Sequence, residues 1–230
     1  MIQIRTVFAV SSAVAISSLL AQAPPATDRL RDGYHPPEPL EVTVIEFPIR
    51  SVAYGTVVLH ADVEETGRVK GVHVIRGIVS LNEAVIPKVK EWKFQPAKLD
   101  GKVVPSLVTI AVMFSPNTFW PTDVPLPPRA PTQKDEPAAP RYVPPDVVSA
   151  LFPAFPTASA VVPGMVALGP TVSSTGEVED TKVLRDLPTY TPQVLNALKR
   201  WKFAPARFDG EPLAAPIVVV MIFRLPPVVN

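Results

Sequence analysis

The chain lacks cysteine entirely, and this absence removes several classes of function at once. Without a thiol the protein has no disulfide, no thiolate metal site and no cysteine nucleophile. An excess of one charge sign is lacking too, because 22 Lys and Arg stand against 21 Asp and Glu, for a formal net charge of +1. A nearly neutral chain does not attract a polyelectrolyte, so we expect no nucleic-acid partner.

Motifs that carry chemistry are also missing. The sequence contains no glycine-rich phosphate loop, no nucleophile elbow and no cluster of carboxylates and histidines that recurs along the chain. We therefore predict that the protein is not an enzyme, and that it has no catalytic residue, cofactor or metal. His60 and His73 would face each other across a hairpin with a two-residue Thr66-Gly67 turn. A metal site would need further ligands, so we interpret His60 and His73 as a solvated pair.

What the sequence does contain is a duplication. The stretch Trp92–Ala97 (WKFQPA) returns as Trp201–Ala206 (WKFAPA), and each stretch is followed three residues later by Asp-Gly. Each residue of the second stretch carries the number of its counterpart plus 109. The same offset aligns Gly55 with Gly164, Gly67 with Gly176 and Phe114 with Phe223. A period of this length predicts two small domains in tandem.

Each copy has the pattern of a β-hairpin followed by a helix and a long strand. β-Branched runs flank a turn at Gly67 or Gly176. Apolar residues at helical spacing then end at Trp92 or Trp201, so we expect both indoles in a core and both Asp-Gly pairs in turns. The predicted N-caps are Asn82 and Thr191, with Pro192 at the first helical position. Pro87 should kink or shorten the first helix.

The final strand of each copy, ending at Phe114 or Phe223, is apolar on both faces. Such a strand is either covered or available to a partner strand. Two interpretations stay open at this point: the strands are buried in a sheet or against their twin, or they bind another protein.

The remaining boundaries follow from composition. Residues 1–23 are typical of a signal peptide, with an uncleaved membrane anchor as the alternative. We assign residues 24–46 to an irregular leader, 47–115 to domain 1, 116–150 to a Pro-rich linker and 151–226 to domain 2. Within these, 41–45 is a candidate short strand, and 147–155 a lead-in strand or short helix of the second copy.

The order of hairpin, helix, Trp-Lys-Phe-Xaa-Pro-Ala, Asp-Gly and final strand resembles the C-terminal domain of the TonB family. The resemblance implies an α+β fold with two tandem β-β-α-β domains joined by a Pro-rich linker. It also implies a periplasmic module that binds an extended peptide of an outer-membrane receptor, or of another envelope protein, at the edge of its last strand. Carried over by position, the residues that would meet the peptide are Thr109, Ala111, Met113, Val218, Val220 and Ile222.

Two alternatives accompany this interpretation. If residues 1–23 are an anchor, the protein would be a TonB-type energy transducer in the inner membrane, facing the periplasm and driven by an ExbB/ExbD-type motor. The first twenty residues contain no histidine, and the Pro-rich segment lies between the copies rather than before them, so the transducer pattern is incomplete. The third possibility is a structural adaptor that dimerises through its modules. A homodimer of the chain is one such arrangement.

Overall fold

The computed structural model describes residues 33–48, 51, 53–115, 122–124, 126–130, 141–153 and 162–224. The predicted signal peptide or anchor lies outside the described residues, as does much of the predicted linker. Among the residues described, no helix is both long enough and apolar enough to cross a membrane.

The first half of the chain contains nine of the described strands and one helix. These are β1 (Tyr34–His35), β2 (Glu38–Glu41), β3 (Gly55–Val63), β4 (Val69–Arg76), α1 (Val79–Val89), β5 (Lys93–Gln95), β6 (Ala97–Leu99), β7 (Lys102–Val104), β8 (Ser106–Phe114) and β9 (Thr122–Val124).

The second half repeats this order. Its elements are β10 (Tyr142–Val143), β11 (Asp146–Phe152), β12 (Gly164–Val172), β13 (Val178–Arg185), α2 (Thr191–Leu198), β14 (Lys202–Ala204), β15 (Ala206–Phe208), β16 (Glu211–Leu213), β17 (Ala215–Pro216) and β18 (Val218–Phe223). The mixed α+β class is therefore confirmed, with strands predominating.

The hairpins form where the sequence predicts them, and their turn glycines have a second role. Gly67 and Gly176 have φ of 77° and 88°, a region that residues with a side chain rarely adopt. A Cβ at Gly67 would lie 2.1 Å from the carbonyl oxygen of Phe94, and one at Gly176 would lie 2.3 Å from that of Phe203. The glycine thus lets the hairpin turn pack directly on the Trp-Lys-Phe segment of its own copy.

The helix starts differ from the predicted caps. Helix α1 begins at Val79, so Asn82 lies inside its first turn, and Thr191 is the first residue of α2. Both side chains nevertheless accept a hydrogen bond from a backbone N–H four residues earlier, at Ile78 (3.2 Å) and Leu187 (3.0 Å). They thus satisfy N–H groups at the helix entrance from inside the helix.

The proline expected to shorten the first helix does not do so. Pro87 lies inside α1, which has 11 residues against 8 in α2, and the helix continues to Val89. A proline removes only the hydrogen bond to the carbonyl four residues earlier, and here that loss falls in the last turn. The early start at Val79 accounts for the extra length.

The Asp-Gly pairs are turns, as predicted. Asp100 and Asp209 both have φ of 49°, and the glycines that follow have φ of 79° and 85°. Two successive residues with positive φ are the mark of a type I′ turn, which joins β6 to β7 and β15 to β16.

One continuous sheet unites the two copies. Its strand order is β13-β12-β18-β8-β3-β4, with β17 paired to β12. The central contact is the parallel pairing of β8 with β18, from Ile110 beside Val218 to Phe114 beside Ile222. Every other pair in this sheet is antiparallel. We call β8 and β18 together the seam.

The two helices cover opposite faces of this sheet. Val108, Ile110 and Phe114 of β8 face the core that contains α1 and Trp92. Ala111 and Met113, on the other face of the same strand, lie in the core that contains α2 and Trp201. A rotation of about 180° around an axis along the seam keeps the strand directions and exchanges the faces. The two copies therefore relate to each other as the subunits of a twofold dimer, within one chain.

The segments before each hairpin are ordered parts of this arrangement. We call residues 33–48 the first arm and 141–153 the second arm. The first arm, predicted as irregular leader, contains β1 and β2, and its strand lies at 38–41 rather than at the expected 41–45. The second arm, divided between the predicted linker and domain 2, contains β10 and β11, so the lead-in segment is a strand.

Candidate functional site: the seam and the crossing arms

The six residues predicted to meet a peptide all lie in the seam and are all buried. Five of them are fully inaccessible and the sixth, Ile222, is 2% exposed. The set consists of Thr109, Ala111, Met113, Val218, Val220 and Ile222. Strand β8 is bonded to β3 on one edge and β18 on the other, and β18 is bonded to β12 and β8. A peptide could add to either strand only after the seam opens. Peptide binding by these residues stays a prediction.

Each arm packs on the sheet of the other copy. Thr109 of the first copy donates a hydrogen bond through its hydroxyl to the carbonyl of Pro145 in the second arm. In the opposite direction, the backbone N–H of Ile45 in the first arm contacts Sδ of Met165 at 3.4 Å. The arms therefore cover the sheet faces that the helices leave open, and they tie the copies together at two further places.

An ionic cluster fixes the second arm to the edge of the first copy. The carboxylate of Asp146 lies 3.0 Å from Nη1 of Arg129 and 3.7 Å from Nη2 of Arg76. Arg76 also donates to the carbonyl of Pro127 at 3.2 Å. These contacts of Pro127 and Arg129 hold residues 127–129 beside the end of β4. The N–H of Ala130 also donates to the carbonyl of Ile75 at 2.7 Å.

The histidine pair has the predicted register but not the predicted environment. His60 lies directly opposite His73 across the β3–β4 hairpin. His73 is exposed and contacts Asp62 at 2.8 Å, whereas His60 is only 7% accessible. Burial, aided by the positive charge of Arg129, lowers the pKa of His60 to about 4. The expectation of a solvated pair is thus wrong for His60, which lies beside Thr109, the residue that bonds to Pro145 of the second arm. The described residues hold no group of three potential metal ligands.

An aromatic contact joins the arms at the end of the molecule where the Asp-Gly turns lie. The ring of Tyr34 lies 4.8 Å from that of Tyr142 and stacks on Phe208 at 4.7 Å. The Tyr34 hydroxyl hydrogen-bonds to Ser106. Burial raises the pKa of Tyr34 to about 12 and that of Tyr142 well above its usual value, so both rings are neutral packing groups.

The outer edges of the joint sheet are β4 and β13. Residues 129–130 cover one end of β4. Strand β13 has five exposed residues among its eight and carries charge of both signs, which discourages a further strand from pairing there. Its charged residues are Glu179, Asp180, Lys182 and Arg185.

The arms could have been found from the sequence. Tyr34-His-Pro-Pro-Glu38 returns as Tyr142-Val-Pro-Pro-Asp146, at an offset of 108 rather than 109. The two tyrosines pair with Leu99 and Phe208, which are themselves counterparts. A search for repeats with one fixed offset misses this motif because one residue is gained or lost between arm and hairpin.

Comparison with known proteins connects the first copy to a family. Residues 49–116 match the family model described as Gram-negative bacterial TonB protein C-terminal. The solution NMR structure of the Pseudomonas aeruginosa TonB CTD is similar to this chain, with 23% identity, a TM-score of 0.30, and coverage of 36% of this chain and 88% of that chain. No curated protein sequence matches the chain. The resemblance is confirmed for the first copy, and for the second copy it stays a prediction.

Proposed function

We propose that this chain is a protein-interaction module of the bacterial envelope, which binds an extended peptide of another envelope protein, such as an outer-membrane receptor, by strand addition. In this proposal the mature protein lies in the periplasm, acts without a cofactor and is not an enzyme. The match of residues 49–116 to the TonB C-terminal model supports the kind of role and the kind of partner.

The observation that carries the proposal is the backbone pairing of β8. This strand ends the matched segment, and its edge takes a further strand, β18, over five consecutive residue pairs. An edge that accepts one apolar strand has the unpaired N–H and C=O groups that strand addition needs. Within this chain the second copy supplies that strand, so a peptide must either open the seam or use another edge.

A second candidate function is the structural adaptor, and the seam itself favours it. If the two copies exist to bury each other's final strands, the chain is a preassembled pseudo-dimer whose outer surfaces hold other envelope components in place. The inner-membrane transducer is a further alternative. It requires that residues 1–23 remain attached, which N-terminal sequencing and membrane partition of the natively expressed protein will decide.

The experiment that separates the first two candidates is photo-crosslinking in cells of the full chain, with the crosslinking residue placed at Met113 or at Val44. An adduct between either position and an outer-membrane protein supports strand addition to a partner. Adducts confined to another molecule of this same protein contradict strand addition to a partner and favour the adaptor. The matched control is the variant Ala111→Cys/Val219→Cys, in which a disulfide between these neighbouring residues holds the seam closed. The chain has no cysteine of its own that could compete for this disulfide.

A further inference from the structure

The two arms are built alike down to one irregularity. In the first arm Pro39 lies opposite Phe94 and Glu41 opposite Lys93, with a shift in register between them. In the second arm Val147 lies opposite Phe203 and Ser149 opposite Lys202, with the same shift. Continuing this equivalence, residues 42–44 of the first arm correspond to residues 150–152 of the second.

At residues 150–152 the second arm has a third strand beside it. Ala150, Leu151 and Phe152 pair antiparallel with β9, residues 124 to 122. This strand comes from the Pro-rich segment between the copies. Leu151 uses its carbonyl to accept a hydrogen bond from Nε1 of Trp201 at 3.0 Å. Because backbone groups alternate in direction along an antiparallel strand, those of Ala150 and Phe152 face β9.

The corresponding edge of the first arm has no strand beside it among the described residues. Exposure shows the difference, since Phe152 is fully buried whereas its counterpart Val44 is 37% accessible. Residues 42–48 do not form a strand, and the N–H of Ile45 contacts the sulfur atom of Met165. The first arm therefore resembles the second arm with its third strand removed.

A buried polar atom marks the same place. Nε1 of Trp92 has no hydrogen-bond partner among the residues that the structure describes, although Trp92 is only 1% exposed. Its counterpart Trp201 is bonded to Leu151, and the residue equivalent to Leu151 in the first arm is Thr43. A buried N–H without a partner costs on the order of 1–3 kcal/mol. Straightening the first arm into a strand would bring the Thr43 carbonyl to the position that satisfies it.

Strand β9 shows what chemistry fits such an edge. Its sequence is Thr-Asp-Val, and Val124, opposite Ala150, is only 5% exposed in the core below. Leu126 packs partly buried against the same core. A matching ligand is extended, carries little charge and places an apolar side chain opposite Val42.

We propose that the outer edge of the first arm, residues 42–44, binds an extended, apolar segment of another protein as an antiparallel strand, in the manner in which the second arm holds β9. This inference rests on the proposed function and names the site at which strand addition takes place with the seam closed. Binding orders residues 42–48 as a strand and gives Nε1 of Trp92 its partner.

The test uses ¹⁵N-labelled full chain, with the seam free or locked by the Ala111→Cys/Val219→Cys disulfide. The probe is a synthetic peptide with the sequence of residues 121–128, PTDVPLPP. A control peptide has Asp in place of its single Val. The readout is the indole N–H resonance of Trp92, distinguished from those of Trp120 and Trp201 by Trp120→Phe and Trp201→Phe variants.

We expect the peptide to bind both free and locked chains and to move the Trp92 resonance, with the control peptide at least about tenfold weaker. Val44→Pro removes an outward N–H and should weaken binding about tenfold or more, whereas the matched Val44→Ala keeps the N–H and should stay within about threefold. Thermal unfolding of both variants checks that the fold is intact.

Four results overturn the inference. Binding that is lost in the locked chain places the peptide in the seam, which leaves the proposed function standing. A shift confined to Trp201 means that the peptide replaces β9 on the second arm. Binding seen only after deletion of residues 24–32 means that the chain's own leader takes the edge. Absence of binding to either form refutes the site, and the crosslinking experiment then decides the proposed function separately.

Discussion

The two arms of this molecule share their pairing, their register shift and their contacts with the opposite copy, but they differ in what lies at their outer edge. The second arm holds β9 there, and Trp201 is satisfied by Leu151. The first arm is unpaired there within the described part of the chain, and Trp92 has a buried N–H without a partner. Internal duplication thus provides its own control, because a feature present in one copy shows what the other copy is shaped to hold.

The seam differs from the outer edges of the arms because it keeps the equivalence of the two copies. There the two copies are nearly equivalent, and each contributes a strand that is apolar on both faces. Strands of this kind would be an aggregation hazard on a separate domain. Joined in parallel, they become the central strands of one continuous sheet with a hydrophobic core on each face. The symmetry of the seam extends to the pairing of the arms and is lost at the outer edges of the arms.

The largest expected effect comes from breaking the seam. Met113 is fully buried in the core formed with the second copy, so Met113→Asp places a charge among apolar side chains. We expect the free energy of unfolding to fall by more than about 4 kcal/mol in urea titration followed by circular dichroism.

Two controls sharpen this prediction. Met113→Leu should cost less than about 1.5 kcal/mol because volume and polarity are nearly kept. Ile222→Asp, the counterpart change in the second copy, should cost about as much as Met113→Asp. A loss below about 1 kcal/mol for either aspartate would mean that water reaches the seam.

The next effect depends on pH and exists in the first copy alone, because the counterpart of His60 is Gly169. The folded pKa of His60 is about 4, below the ordinary value of 6.5, so the folded state binds a proton less readily than the unfolded chain. Its contribution is fully present above pH 6.5 and is lost as pH falls from 6.5 toward 4, by on the order of 3 kcal/mol.

A series of urea titrations from pH 4 to 7 measures this dependence. His60→Gln should flatten the part of the profile that lies in this window. His73→Gln, at the exposed partner across the hairpin, should leave that part in place. If both variants behave alike, His60 is not shielded from water.

A smaller effect compares the two tryptophans directly. Trp92→Phe and Trp201→Phe remove similar volumes from similar cores. Trp201→Phe also leaves the carbonyl of Leu151 without its indole donor, whereas Trp92→Phe removes an N–H that has no partner in the described part of the chain. We expect Trp201→Phe to cost about 1–2 kcal/mol more in chemical denaturation. Equal costs would show that Trp92 is satisfied in solution.

The smallest effect concerns the helix entrances. Asn82→Ala and Thr191→Ala each remove the acceptor for an N–H at the start of a helix and should cost about 1 kcal/mol. Thr191 also donates to Asp186, so its replacement should cost the more. Asn82→Asp keeps the acceptor and serves as the control. The melting temperatures of the three variants decide the order.

Much of each copy was predictable because the determining signals are local. β-Branched runs around Gly67 and Gly176 specify the hairpins, and the register of His60 with His73 follows from the turn length. The tryptophans are buried as their helical spacing indicates. The cap residues were recognised by type but misplaced by up to four positions, since their side chains reach back from within the helix.

The arms and the seam were harder to predict because they depend on residues distant in sequence. Strand β2 pairs with β5, more than fifty residues later, and a segment with Pro36-Pro37 has the composition of an irregular leader. For the seam, the sequence indicated that the final strands are either covered or free, without choosing. Nothing local states that β8 finds its neighbour within the same chain.

The parallel pairing of β8 with β18 is the central claim, and cysteine trapping tests it most directly. Ala111 and Val219 are neighbours across the seam and lie in the same core, so Ala111→Cys/Val219→Cys should form a disulfide within one monomer on mild oxidation. Val112→Cys/Val219→Cys, with side chains on opposite faces, should not. If the first pair stays reduced, or both pairs cross-link only between molecules, the two copies do not share a sheet.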